Sequence, residues 1–187
     1  MTPVESLPLV PFRRVVLPGA RHSVRTTYEG LGVGERVAVV LIQPDGTLGR
    51  VGTAARIQGL ADDQDSVVLD LIGEVLVSIE RTGDRASVDV IDRVPPVPRQ
   101  GLVLAAEKSL RRYMAARAES GHGGDIHLTI GPDPVTASHQ VASHLEISWP
   151  EVQDILEAGN ACERLEREIT VLERETALLR AVLGRSE

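Results

Sequence analysis

The hydrophobic side chains of this polypeptide change their repeat once, at a proline cluster, and that change demands two kinds of structure from one chain. Before Pro95, Pro96 and Pro98 the apolar residues form short β-branched runs separated by turn residues, and after them they recur every three to four positions. Proline cannot donate to a sheet ladder, so the cluster ends the strands and divides a strand half, residues 1–96, from a helical half, residues 97–187.

In the first half, Arg36 to Gln43 and Gly49 to Leu60 flank the turn Pro44-Asp45-Gly46, which predicts a hairpin. The acidic stretch Asp62-Asp63-Gln64-Asp65 turns the chain into a strand from Ser66 to Arg81, where Gly73 predicts a bulge or sharp bend. After Thr82-Gly83-Asp84, Arg85 to Arg93 alternates as a strand does. The second half opens with Leu102, Ala106, Leu110 and Tyr113 on one face of a helix over 101–119. Gly121, Gly123 and Gly124 mark a loop. Asp133 then caps a helix that starts at Pro134 and carries Val135, Ser138, Ala142 and Leu145 on one face, and Ser148 and Glu151 make a capping-box pattern around Trp149-Pro150. Gly159-Asn160 separates this short helix from a long one over 160–184. There Leu165, Ile169, Leu172, Thr176, Leu179 and Leu183 form a continuous seam that needs a partner, either the other helices or a second copy in a homodimer. The expected fold class is α+β: a mostly antiparallel β-barrel, then a helical bundle with a long C-terminal helix.

The net charge is −7, with 10 basic and 13 acidic residues in 1–96 and 10 and 14 in 97–187, so neither half has the overall basic character of a nucleic-acid binder. No apolar run is long enough to span a membrane, and the first 17 residues lack the pattern of a signal peptide. With its lone Cys162 the chain reads as cytoplasmic. Nineteen of its twenty basic residues are arginine, a fingerprint of a GC-rich bacterial genome.

Chemistry is scarce. The one lysine, Lys108, follows Glu107 with no phosphate-loop glycines, and its neighbour Ser109 points elsewhere on a helix, which removes a Walker loop and a serine–lysine dyad. Gly30-Leu31-Gly32-Val33-Gly34 precedes a strand instead of following one, so it reads as a flexible turn and not a dinucleotide fingerprint. His139 and His144 lie about 140° apart on a helix and cannot chelate together, while His122 and His127 read as solvated loop residues. Asp62, Asp63 and Asp65 lack the glycine and glutamate of a calcium loop. Cys162 shares a heptad track with Ile169, as a buried small side chain would. No cofactor, metal or catalytic group is expected. Arg13, Arg14, Arg21 and Arg25 form the one local basic cluster, suited to phosphates or acidic peptides or simply to a solvated face.

Two stretches read together resemble the N-terminal substrate-binding domain of the Lon ATP-dependent protease family. One is Leu7 to Gly19 (LPLVPFRRVVLPG), joined by Val51 to Ile57 (VGTAARI). The other runs from Val141-Ala142 through Gln153-Asp154-Ile155-Leu156-Glu157 to Glu163-Arg164-Leu165. The chain departs from the family in having one apolar residue fewer between Leu17 and Pro18, and only Thr27 to Glu35 where the family has a helix. The resemblance implies a PUA-like β-subdomain followed by helices, standing alone or cut off before the ATPase and the serine–lysine peptidase. The function it implies is recognition of unfolded or degron-bearing proteins, as an adaptor or regulator beside an ATP-dependent protease. The expected binding patch is apolar with an arginine rim, near Phe12, Arg13, Arg14, Leu17 and Tyr28, and the seam Leu165, Ile169, Leu172, Leu179 and Leu183 is the candidate interface between copies. A competing expectation is RNA binding through the PUA-like half, which the arginine cluster favours and the negative charge and scarce aromatics oppose.

Overall fold

In the computed structural model, residues 5–28, 30–63, 66–82, 84–92, 101–121 and 128–183 are described. The proline cluster, His122, His127, Gly123, Gly124 and Asp65 lie outside them. Six strands and four helices follow in order: β1 Glu5–Phe12, β2 Arg21–Thr26, β3 Arg36–Ile42, β4 Leu48–Asp63, β5 Ser66–Thr82, β6 Arg85–Val90, α1 Leu102–Glu119, α2 Pro134–Ser143, α3 Trp149–Leu156 and α4 Ala161–Leu183. They divide into two compact units, Met1–Asp92 with Ile147–Glu157, and Arg93–Glu146 with Ala158–Glu187.

The first unit is built on a mixed sheet of order β2-β5-β4-β3-β1-β6, which closes on itself because β6 also pairs with β5. Among the described strands only the β1–β3 pair is parallel. Leu7 and Leu9 of β1, Ala38 and Val40 of β3, Ala54 of β4, Val77 of β5 and Ala86 and Val88 of β6 pack together, so all five strands of the closed ring contribute to its interior. The alternate residues of the same strands, Val10, Val37, Val39, Ala55 and Ile57, form a second core with Val24, Leu69 and Leu71. This is why β3 reads as an unbroken apolar run: it is covered on both faces.

One inserted residue lets β5 serve both cores. Val75 pairs with Ala54 but Gly73 pairs with Ala55, which leaves Glu74 as a bulge. Because side chains alternate with a period of two, the extra residue moves the odd-numbered side chains from the second core (Leu69, Leu71) to the ring interior (Val77). The irregularity falls where Gly73, a glycine inside an apolar run, predicts a bulge or bend. Opposite it, Gly19 (φ 81) and Ala20 form a bulge of their own: Gly19 N–H donates to the Gly73 carbonyl at 2.8 Å and Gly73 N–H to the Ala20 carbonyl at 3.0 Å. Thr53 secures the loop before β2 by donating its hydroxyl to the Val16 carbonyl at 2.5 Å in the buried interior.

In the second unit α4 packs on α1 and α2. Ala106, Leu110, Tyr113 and Ala116 of α1 and Cys162, Leu165, Leu172 and Thr176 of α4 are buried at helical spacing. Asn160 caps α4, its Oδ1 accepting from the backbone of Cys162 and Glu163 at 3.0 and 3.1 Å. The core is not wholly apolar. Arg164 Nε donates to Ser138 Oγ at 3.2 Å, and Ser138 Oγ donates to Glu168 Oε1 at 3.0 Å, all three residues being fully buried. Burial pushes the Glu168 carboxyl up to about 8 against the opposing pull of Ser138 and Arg164.

Candidate functional site

The short helix α3 belongs with the strands and not with the helices that flank it in sequence. Its start is set locally. Ser148 Oγ and Ser148 N–H both donate to Glu151 Oε2, at 2.8 and 3.3 Å, and Pro150 occupies a first-turn position where no N–H is required. Its place on the sheet is set by Gln153, whose amide is buried and donates to the Val51 carbonyl of β4 at 2.9 Å and to Glu157 Oε1 at 3.0 Å. Gly49 makes the approach feasible, since a Cβ there would lie 2.5 Å from Gln153 Nε2. Glu157 completes the clamp by accepting from the Arg50 backbone N–H at 3.0 Å and from its guanidinium at 3.1 and 3.2 Å. Burial alone would raise the Glu157 carboxyl, but these bonds from Gln153 and Arg50 outweigh it and hold the group below its usual range.

So held, Trp149 stands at the tip of α3 with 39% of its surface exposed. Facing it is the β3–β4 turn, itself rigid: Gln43 N–H donates to Thr47 O at 2.8 Å, Gly46 N–H to Gln43 O at 2.9 Å, and Asp45 Oδ1 accepts from the Thr47 hydroxyl and backbone at 2.7 and 2.9 Å. Gly46 has φ 84, a left-handed conformation open to glycine. Between the two walls lies an open groove of about 440 Å³, lined by Leu41, Ile42, Pro44, Trp149 and Pro150, with Arg13 at its rim. It combines an apolar floor, a large aromatic face and one cation. Such a surface suits contact with an apolar ligand, and its lining contains no nucleophile paired with a base. Among the described residues no three His, Cys, Asp or Glu side chains cluster to hold a metal ion. No helix there is long and apolar enough to cross a membrane.

Of the patch expected from sequence, the structure brings only Arg13 to this groove. Arg14 is exposed on the loop after β1, and Tyr28 is half-buried. Phe12 packs against the second core, and Leu17 is buried, its carbonyl lying against Gly73. Trp149 and Pro150 were legible as a helix start and not as a binding wall. The signal that could have marked them is the placement of the chain's one tryptophan at a helix tip. In the α4 seam Leu165 and Leu172 are fully buried and Ile169, Leu179 and Leu183 are half-buried, while the exposed large apolar residues among those described in α4 are Leu178 at 55% and Val182 at 63%.

No family model matches the chain, and no curated protein matches it significantly. Solved structures do. A Lon N-terminal domain protein from Xanthomonas campestris is 22% identical, with a TM-score of 0.58 over 89% of this chain and 98% of that one. The N-terminal domain of the Lon protease of the Mycobacterium avium complex is 15% identical, with a TM-score of 0.62 over 90% and 98%. The chain therefore has the fold of Lon N-terminal domains.

Proposed function

We propose that the protein is a recognition module of the Lon type: it binds exposed or unfolded segments of other proteins, has no catalytic chemistry of its own, and acts as an adaptor or regulator beside an ATP-dependent protease in the cytoplasm. The observation that carries this reading is the groove between the β3–β4 turn and α3, where a half-exposed tryptophan faces Leu41, Ile42 and Pro44 and Arg13 stands at the edge. Tryptophan and arginine are the residues most enriched where a few contacts supply most of the binding energy. Both walls are pinned by hydrogen bonds, so little ordering entropy is lost when a segment enters. The shared fold with Lon N-terminal domains supports the same class of ligand.

Trp149 reports on its own groove, being the one tryptophan in the chain. Titration with a reduced and alkylated, permanently unfolded protein is expected to shift its fluorescence with a dissociation constant in the tens of micromolar or tighter. Trp149→Ala, followed by anisotropy of a labelled ligand, is expected to weaken binding by roughly 30-fold, the loss typical of a hot-spot residue. Absence of binding by the folded protein in that range overturns the reading, and steeply salt-dependent binding of RNA at the same groove would reassign it.

A further inference from the structure

We infer that the outer edge of β2 is a docking strand for an extended, carboxylate-bearing segment of another protein, separate from the Trp149 groove. β2 ends the sheet order, and among the described strands it pairs with β5 alone. Which of its backbone groups face outward follows from the bulge at its start. Gly73 N–H donates to Ala20 O, so counting on in twos directs the groups of His22, Val24 and Thr26 toward Leu71, Leu69 and Val67 of β5. The N–H and C=O of Arg21 and Ser23 then point away from β5, and among the described residues no turn or loop backbone bonds to them. An added strand would satisfy both donors and both acceptors.

The side chains decide what kind of strand. Arg21 and Arg25 are exposed and share one face of β2, and the exposed Arg14 lies near enough to His22 to depress its basicity, after burial the second cause of that shift. Beside this edge lies a hollow of about 290 Å³ lined by Arg21, Ser23, Gln58 and Asp70, opened by Gly59, which places no side chain in it. Asp70 accepts from Ser23 Oγ at 2.6 Å and keeps its negative charge. The donors the hollow offers an incoming carboxylate are the Arg21 guanidinium and the Gln58 amide, and the single charge of Asp70 is outnumbered by those of Arg14, Arg21 and Arg25 along this edge. On a chain of net charge −7 this edge is locally cationic. A second copy fits poorly, because β2 paired antiparallel with itself about Ser23 sets Arg21 opposite Arg25, and directly opposed like charges repel. Nucleic acid fits less well, because its phosphates only accept hydrogen bonds and so match the edge N–H groups alone, whereas an extended strand matches the N–H and C=O groups in register.

The test uses the whole ¹⁵N-labelled protein and an eight-residue capped peptide of alternating glutamate and valine. Its controls are the same peptide with lysine for glutamate, a version N-methylated on both edges, and an oligoribonucleotide of equal charge. The acidic peptide is expected to shift the Arg21 and Ser23 amide resonances and slow their hydrogen exchange, with at least tenfold tighter binding than the lysine peptide. N-methylation is expected to abolish the protection, and Arg21→Glu to invert the charge preference. Unchanged Arg21 and Ser23 amides, equal binding of the two peptides, protection that survives N-methylation of both edges, or equal protection by the oligoribonucleotide would each overturn the inference. Peptide binding seen only through Trp149 overturns it too, while leaving the proposed function standing.

Discussion

Gly73 has no room for a methyl group. A Cβ there would collide with the Leu17 carbonyl oxygen and lie 3.0 Å from the Leu17 carbonyl carbon and 3.2 Å from Pro18 Cα, all of it backbone that cannot swing aside. Gly73→Ala is therefore expected to lower the midpoint of urea unfolding by an amount equivalent to about 1–3 kcal/mol, the cost of overpacking a filled interior. The bend at this residue was readable from a glycine inside an apolar run. The reason for it was not, because the colliding atoms lie more than fifty positions away in sequence. The burial of Leu17 was hidden for the same reason: hydrophobicity alone does not say where it packs, and the hydrogen-bonded bulge at Gly19–Ala20 is what ties the loop down. Glu168 calls for a pH experiment. Its carboxyl is pushed up to about 8 from 4.5, so between those values the unfolded chain releases the proton that the folded chain keeps. The folded state then binds more protons, and stability from this group falls as pH rises from about 4.5 to about 8. His22 and His144 work in the opposite sense, since burial followed by a nearby arginine (Arg14 and Arg117) depresses each below 6.5 and stability is lost as pH drops through that range. The difference between wild type and Glu168→Gln isolates the carboxyl. The variant keeps an acceptor for Ser138, and its chemical-denaturation stability is expected to lack the wild-type decline toward pH 8.

At the scale of elements, local signals and long-range ones separate cleanly. The caps at Asp133, Ser148 and Asn160 and the helical spacings of α1 and α4 lie within a few residues of each other, so these helices were legible with boundaries close to those observed. β2 was not singled out, because Arg21–Thr26 contains one apolar residue, Val24, and becomes a strand only by pairing with β5. Where α3 belongs was equally hidden, since Gln153 bonds to Val51, 102 positions away. Gln153→Ala leaves the Val51 carbonyl without its donor and is expected to cost about 1–3 kcal/mol. Gly49→Ala is expected to destabilise through its clash with the Gln153 amide, yet to be nearly neutral when combined with Gln153→Ala. That non-additivity, measured by a double-mutant cycle, is the signature of the close approach, and simple additivity would count against it. In α4 the burial of Leu172 predicts a loss of about 2–5 kcal/mol for Leu172→Ala, against about 0.5 kcal/mol or less for the exposed Leu178→Ala. Leu178 and Val182 are the large apolar side chains that α4 leaves exposed among the described residues, so self-association through this helix is expected to weaken in Leu178→Glu, as light scattering across a concentration series would show.

Across the whole molecule the chain does not divide at a single cut. The proline cluster announced a boundary near residue 96, and the change of period there is real in the sense that β6 precedes it and α1 follows it. Yet the first unit takes in Ile147–Glu157 from beyond the cluster, so its polypeptide is discontinuous. Periodicity could not reveal this, because it reports which face of an element is apolar and not which distant element covers it. The consequence is testable with pieces. A fragment of residues 1–96 retains both cores of the sheet but loses the Gln153 bond to Val51 and the Glu157 clamp on Arg50. It is expected to unfold at lower urea than the strand unit of the intact chain, by on the order of 3 kcal/mol for the lost bonds and covered surface. A synthetic peptide spanning residues 147–157 added in trans is expected to raise the fragment's midpoint in proportion to the logarithm of its concentration, as any ligand of the folded state does. A Gln153→Ala peptide is expected to do so far less. If the fragment is as stable as the strand unit in the intact chain and ignores the peptide, α3 is a passenger on the sheet, and the rigid wall that positions Trp149 loses its structural basis.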